Sequence, residues 1–431
     1  MKDFKPKKRK ILIGGYDFEE KIHRGIFFWG KSLVRALSKD NITYLLTSAR
    51  YFKEPILFYK SIIEQLMDPY YLPPKKKIIK YIKFLFLKKK PRILNLNTAQ
   101  KKEVILLDRL KYLTHISAFY NIEYIYDITS VHNRFFLKRP FNIKLKDIDI
   151  FITTSPMNIK SNVPLIQTLH DVLPLTSPYH PPDDDKKIFY YRVLNMLKYS
   201  TIIISVSKYS RDKCLEIFPN FEEKIKVVYQ PAPIYDEEKE IINDPLIKES
   251  ILKGFKLQEQ DYLFYVGTLE KRKNIKGLIN AFLAIYNRIK IPLVLAGSLG
   301  YGNEEFKHYL KRYKYIKYIG YISNIEKLVL IKNARAFLFP SFEEGFGIPP
   351  LEALSLGTPV LTSNISSLPE VCGNAALYVN PYSIKDIAEG ILEITLNESL
   401  RERLVKEGFQ QVKKFSFENF EKQLNKIISS I

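Results

Sequence analysis

Two carboxylates, Glu344 and Glu352, stand eight positions apart in the stretch FPSFEEGFGIPPLEALSLGTPVLTSN at 339–364. Between them lie Gly345, Gly347, Pro349 and Pro350. Glycine permits a tight turn and lets a ligand approach the backbone closely. Proline is favoured in the first helical turn, where its missing N–H would be unpaired anyway. The stretch therefore reads as strand, turn and helix start. Exposed N–H groups at such a place form an anion site. Glu344 precedes the helix and Glu352 sits inside its first turns. Carboxylates beside an anion hole are out of place for phosphate alone. They fit a phosphate carrying hydroxyl-rich groups, because carboxylates accept hydrogen bonds from sugar hydroxyls. A phosphate between two sugars is a nucleotide-sugar. Taken alone, each glutamate also admits a plainer reading, Glu344 as a helix-start carboxylate and Glu352 as a solvated helix residue, which their neighbours disfavour.

Strands and helices in alternation must position these residues. In the second half, YLFYVG (262–267), PLVLAG (292–297), IKYIGYI (316–322), AFLFP (336–340), PVLTS and ALYVN are short apolar strands. Segments with helical spacing separate them, among them 274–289 and SIKDIAEGILEIT. Continuous apolar strands between amphipathic helices predict a parallel sheet covered on both faces, a doubly wound α/β unit. The first half is a looser version. KILIGG (10–15), IDIFITTS (148–155), PLIQTLH (164–170) and TIIISVS (201–207) read as buried strands. Asp183 to Asp185 suit the positive N-terminal end of a helix. The proline- and acid-rich stretch near 231–245 is the candidate linker. The expected organisation is a domain over 1–232, with an insertion at about 50–115, and a second over 233–414. Ligands of such sheets bind outside the C-terminal strand ends, so two facing domains share one cleft. The last segment, 415–431, reads as an amphipathic helix.

Length and composition agree. A chain of 431 residues exceeds one ordinary core. Two cysteines, Cys214 and Cys372, exclude a disulfide framework and leave no close Cys pair for zinc. No run of 18 apolar residues occurs, and the basic N-terminus has too short an apolar stretch for a signal peptide. A cytoplasmic protein is expected. The formal net charge of +22 favours anionic partners. It is focused: residues 70–115 hold 13 Lys or Arg against Glu103 and Asp108.

EEGFGIPPLEALSLGTPV resembles the E-x7-E signature of retaining GT-B glycosyltransferases of family 4, with Glu344 and Glu352 at its two glutamates. YVGTLEKRKNIKGLINAF resembles the strand and loop that carry that family's diphosphate-binding basic pair, here Arg272 and Lys273. QTLHDVLPLTSPYHP places His170 at the family's cleft histidine, and IIISVSKYSRD resembles the end of its N-terminal domain. Together these matches cover most of 148–400. In HRGIFFWGKSLVRAL, Gly25 keeps the place of a glycine-rich loop, while Phe27, Phe28 and Trp29 are bulkier than usual. The resemblance implies a GT-B fold, two Rossmann-like domains facing a cleft, with the C-terminal helix crossing back to the first. It implies retaining transfer of a sugar, mannose or another hexose, from a GDP- or UDP-linked donor to a glycan or lipid-linked acceptor in cell-surface polysaccharide synthesis, without metal or other cofactor. Glu344, His170, Arg272 and Lys273 would serve catalysis: Arg272 and Lys273 hold the departing diphosphate, Glu344 the sugar hydroxyls, and His170 approaches the reacting sugar. Gly25, Gly267, Phe346, Gly347, Ile348, Glu352 and Thr358 would line the donor, with Glu352 on the ribose.

Other classes fare worse. A nicotinamide dehydrogenase needs G-x-G-x-x-G after a strand, and ILIGGYDFEEKI lacks it. A nucleic-acid binder rests on charge alone, without a helix-turn-helix, finger or RNP motif, so no nucleic acid is expected. An inactive transferase-like subunit is disfavoured by the intact motif. The segment 73–92, PPKKKIIKYIKFLFLKKKPR, sets Lys76, Lys80 and Lys83 at helical spacing, with Ile78, Ile79, Ile82, Leu85 and Phe86 on the complementary pattern. Such a basic amphipathic helix lies in the interface of an anionic bilayer, or else docks its apolar face on the domain core. The first alternative makes the protein peripheral on the inner face of the plasma membrane.

Overall fold

A computed structural model of the chain describes residues 8–21, 25–87, 91–97, 100, 108–179, 186–300 and 306–431. The acidic run Asp183 to Asp185 and the Lys88 to Lys90 end of the basic segment lie outside these residues, as do the side chains of Leu85 and Phe86.

The first half builds one eight-stranded sheet. Its strands are β1 (Lys10–Gly14), β2 (Ile42–Thr47), β3 (Arg92–Asn95), β4 (Ala118–Asn121), β6 (Ile150–Thr153), β8 (Leu165–Leu169), β9 (Ile202–Ser205) and β10 (Ile225–Val227), with β5 (Phe141–Ile143) and β7 (Ile159–Ser161) forming a separate parallel pair. The order is β10-β9-β8-β6-β1-β2-β4-β3, parallel throughout except for β3, which runs antiparallel to β4 at the edge. The second half builds a six-stranded parallel sheet from β11 (Leu263–Val266), β12 (Leu293–Ala296), β13 (Ile316–Gly320), β14 (Ala336–Phe339), β15 (Val360–Ser363) and β16 (Ala376–Val379), in the order β13-β12-β11-β14-β15-β16. Every residue of β6, β8, β11, β12, β14 and β15 is buried. Helices on both faces explain why these strands are apolar runs rather than alternating ones.

In each sheet the strand order reverses once, between β1 and β6 in the first and between β11 and β14 in the second. A crevice opens at such switch points, outside the carboxyl ends of the strands. The loops leaving β1 and β6, and those leaving β11 and β14, are therefore where ligands belong.

Three features bear on the sequence reading. The stretch near 231–245 is not an open linker. Its acidic part forms the helix Asp236–Asn243, with a capping box between Tyr235 and Glu238, followed at once by the helix Pro245–Gly254. The acids suit that N-terminus for the dipole reason assigned elsewhere to Asp183 to Asp185. Secondly, the described residues of the basic insertion form the helices Pro55–Met67 and Pro74–Leu87 and then the edge strand β3. Thirdly, the helix Pro74–Leu87 does not dock through its isoleucines. It is held by buried Tyr81, whose hydroxyl meets His132 Nδ1 at 2.8 Å, and by a 2.7 Å ion pair from Lys77 to Asp127. Ile78, Ile79 and Ile82 are 40, 51 and 48% exposed.

The final helix, Phe417–Ser429, packs on the helix Gly25–Leu37. Arg9 Nη1 donates to the Ile428 carbonyl, Lys39 pairs with Glu421, and the Phe420 ring meets Trp29 edge-on at 5.2 Å. Among the described residues no helix is long and apolar enough to cross a membrane.

Candidate active site

The loop after β14 and the short turn Lys271–Lys273 after β11 meet at the second switch point. Glu344 is buried there between two cations. Lys273 Nζ lies 2.6 Å from its Oε1 and Arg272 Nη1 lies 3.1 Å from its Oε2. Arg272 also donates to the Glu343 carbonyl and pairs with Glu270 at 2.7 Å. Burial by itself would push the Glu344 carboxyl up. Lys273 and Arg272 outweigh it and hold the group below its ordinary range. Burial also works against charge on Arg272, yet Glu344 and Glu270 raise it further; Lys273 is drawn down by burial against the pull of Glu344. The result is a buried cluster of two cations around one carboxylate, whose remaining lone pairs can accept ligand hydroxyls.

The glycines of the turn have separate tasks. Gly347 takes φ +109, a region L side chains rarely adopt, and caps the helix Ile348–Ser355. Pro349 and Pro350 carry no N–H, so the unpaired donors of that helix narrow to those around Gly347 and Ile348. Gly345 allows close approach to the other half of the molecule. A Cβ there would lie 2.6 Å from the His170 carbonyl and 2.8 Å from Asp171 Cβ. The Gly345 carbonyl accepts hydrogen bonds from Ser207 Oγ (2.6 Å) and Ser210 Oγ (2.9 Å), and Ser210 Oγ also reaches the His170 carbonyl. Glu370 extends this seam by accepting from the backbone N–H of Lys208 and Tyr209.

His170 directly follows β8, one strand over from the first switch point, and its ring reaches back to the end of β6. Its Nε2 lies 2.7 Å from the Thr154 carbonyl, which can only accept, so Nε2 carries the hydrogen and Nδ1 is an acceptor. Burial draws the imidazole down from 6.5 to about 4, against the opposing carbonyl bond. A depressed histidine takes its proton later in the folded than in the unfolded chain. Its contribution to stability is therefore present above about 6.5 and declines as pH falls toward 4. NMR of the His170 ring should show a titration midpoint near 4 and a neutral ring from pH 5 upward; a midpoint near 6.5 would contradict the burial argument.

Behind His170 stands Trp29, ring to ring at 6.0 Å, with its Nε1 donating to Thr168 Oγ1 at 3.0 Å. Gly25, Phe28 and Ser32 repeat at helical spacing on the face of helix Gly25–Leu37 turned to the second half. A Cβ on Gly25 would come within 3.0 Å of Ile348. Phe28 lies 5.3 Å from Lys327 Nζ, and Ser32 Oγ meets Tyr235 Oη at 3.1 Å. The bulk of Phe27 and Trp29 thus serves the core: Phe27 packs on Phe18 and Tyr112.

Glu352 is 1% exposed and paired at 2.5 Å through Oε1 with Lys327. Phe346 is a buried anchor against Phe415, and Gly267 is the turn that ends β11, where its carbonyl would collide with any Cβ on Gly297. Glu344, Arg272, Lys273, His170, Gly25, Gly347 and Ile348 thus join in one connected site. Thr358 does not reach it. It lies past the far end of its helix, 2% exposed, with its hydroxyl spent on the Ile331 carbonyl. Its place in the motif is a packing requirement.

Sequence reasoning missed Ser207, Ser210 and Glu370, although two of the three lie inside IIISVSKYSRD. It also missed Asp17 and Glu19, both buried beyond β1. Asp17 accepts from Thr154 Oγ1 at 2.8 Å and Glu19 from the Ser48 N–H at 2.7 Å; burial raises each to about 7.

The profile of the family described as Glycosyl transferases group 1 matches residues 247–411. O-antigen chain mannosyltransferase B of Escherichia coli is 35% identical over 259 residues, which are 59% of this chain and 67% of that protein. O-antigen chain mannosyltransferase RfbU of Salmonella typhimurium is 28% identical, over 54% of this chain and 62% of its own. The chain spans 32% of the length of another relative, the serotype-specific mannosyltransferase WbdA of Escherichia coli, at 27% identity. Among solved structures, Anabaena Alr3699/HepE, crystallised with UDP and glucose, superposes with TM-score 0.62 at 14% identity over 98% of this chain and 100% of its own. WaaG superposes with TM-score 0.61 at 12% identity, over 97 and 99% of the two chains.

Proposed function

Because this chain belongs to the glycosyl transferases group 1 and has the GT-B fold, we propose that it transfers a mannosyl residue, with retention, from a GDP- or UDP-linked donor to a growing cell-surface glycan. The carrying observation is the buried cluster of Arg272, Lys273 and Glu344, pressed through Gly345 onto the main chain of His170. Residues 1–232 form the acceptor side and 233–414 the donor side.

In this reading the diphosphate takes its place among Arg272, Lys273 and the donors around Gly347, which stabilise the charge that grows as the bond to the sugar breaks. Glu344 then accepts from the sugar hydroxyls. Neutral His170 presents its Nδ1 acceptor to the transferred residue. No metal or other cofactor enters this scheme, since the basic pair supplies the positive charge. The mannosyl assignment draws on what the relatives are named for; the charge cluster itself fits any hexose. The test is a panel of GDP-mannose, UDP-glucose, UDP-galactose and ADP-glucose with a lipid-linked glycan acceptor. Nucleoside diphosphate release should follow one mannosyl donor, and NMR of the product should show the donor's anomeric configuration. Inversion, or release only from a glucosyl donor, would reject the corresponding part.

The acceptor reaches the cleft from a membrane. Ile78, Ile79 and Ile82 face solvent beside exposed Lys75, Lys76 and Lys83, so this helix turns isoleucines and lysines outward together. Each Lys near an anionic surface contributes about 1 kcal/mol. The protein should sediment with anionic vesicles, weakly with neutral ones, and less in high salt. Replacing Lys75, Lys76 and Lys83 by Gln should reduce sedimentation about tenfold or more. Unchanged binding would remove the helix as the anchor.

A further inference from the structure

Glu352 presents an unresolved oxygen. Its residue is 1% exposed, Oε1 is taken by Lys327, and Oε2 is buried with no partner among the described residues. A buried acceptor left in this way can take a donor that a bound ligand supplies. Lys327 sits on the helix Asn324–Lys332, whose start is fixed by a capping box between Ser323 and Glu326. Its ammonium lies 2.5 Å from Glu352 Oε1 and 5.3 Å from the centre of the Phe28 ring, which comes from the other half of the molecule. The ammonium is thus clamped from two sides, by a carboxylate of one half and an aromatic face of the other.

We propose that Lys327 is a positioning residue for the donor: held between Glu352 and Phe28, it fixes the Glu352 carboxylate with Oε1 engaged and Oε2 turned to the ribose hydroxyls. This rests on the reading of Glu352 as the ribose ligand and adds what makes it able to act. A carboxyl buried alone goes neutral, and burial does push Glu352 up while Lys327 opposes it. A neutral acid accepts weakly and is free to turn. The charged pair keeps one oxygen as a strong acceptor in one orientation. Phe28 adds a cation–π contact to the same ammonium, so the clamp is complete only when the two halves approach. None of this is visible in the E-x7-E pattern, because Lys327 lies 25 residues before Glu352.

The measurement is the affinity ratio of a nucleoside diphosphate to its 2′,3′-dideoxy form, taken with the GDP and UDP pairs on the full chain. Hydrogen bonds to a charged group make that ratio about 10–100 in the unaltered protein. Glu352→Gln should bring it near 1; a retained ratio there rejects the ribose reading itself. With that ratio collapsed, Lys327→Met should also bring it to about 1–3, while Lys327→Arg, which keeps the charge, restores at least half. Phe28→Leu should lower it about two- to fivefold. A full ratio in Lys327→Met overturns the role of Lys327 while Glu352 keeps its own, and so does a failure of Lys327→Arg to restore it. Should Lys327→Met not fold, Lys327→Gln decides: a ratio of about 3 supports the role and an undiminished ratio overturns it. A lysine needed only for packing would lower both affinities together and leave the ratio alone.

Discussion

Glu344→Gln should lower turnover by about 10²–10³, the range seen when one preorganised polar group is removed from a reacting centre. The substitution keeps the shape and deletes the charge. Lys273 and Arg272, 2.6 and 3.1 Å away, then lose their shared counter-ion in a buried place. Breaking a buried ion pair this way costs about 3–5 kcal/mol. The low end applies here, because Glu270 still engages Arg272. A bound nucleoside diphosphate would supply the missing negative charge. It should therefore raise the melting temperature of Glu344→Gln more than that of the unaltered protein, which separates a damaged site from a damaged fold. Wild-type turnover in Glu344→Gln would remove this residue from the chemistry.

Gly345→Ala should be nearly as harmful, for a steric reason. The new Cβ would fall 2.6 Å from the His170 carbonyl and 2.8 Å from Asp171 Cβ. Both obstacles belong to or adjoin backbone, which cannot rotate away. The loop must retreat, and the bonds from Ser207 and Ser210 to the Gly345 carbonyl must lengthen with it. A misplacement of about 1 Å at a catalytic loop costs about 10² in rate. Circular dichroism and the melting transition should change little, because the collision lies between the two sheets rather than inside either. Full activity would mean that the seam has slack.

Much of this arrangement is legible in the sequence wherever one element carries the signal. β11, β12 and β14 appear as uninterrupted apolar runs because both faces of a parallel sheet are covered. The glycine turn and proline pair announce the start of helix Ile348–Ser355 because proline and glycine restrict the backbone locally. What could not be read depends on pairs distant along the chain. Lys327 looks like any helix lysine until Glu352 is folded against it. Trp29 looks like an intrusion into a glycine loop, yet it is the floor beneath His170. Thr358 sits in the motif but serves only Ile331, since pattern does not distinguish packing from contact with ligand. In the basic helix the periodicity leaves two placements for the apolar stripe, and Tyr81 and Lys77 decide between them: they form the docked face and leave the isoleucines outward. Asp236 to Glu238 read as linker acids because their benefit to a helix start is electrostatic and leaves no apolar period.

The contact between Phe420 and Trp29 bears on the order of events during translation. Domains emerge from the ribosome and fold N-terminal first. The Trp29 ring, the Thr168 hydroxyl and His170 all exit early, whereas the helix that closes over the tryptophan is made after every strand of both sheets. Until then the wall behind the histidine stays open to solvent, and a nascent chain holds the Arg272, Lys273 and Glu344 cluster without a finished first half. Competence thus waits for Phe417–Ser429, and a ribosome stalled before this helix should display a folded but catalytically silent protein.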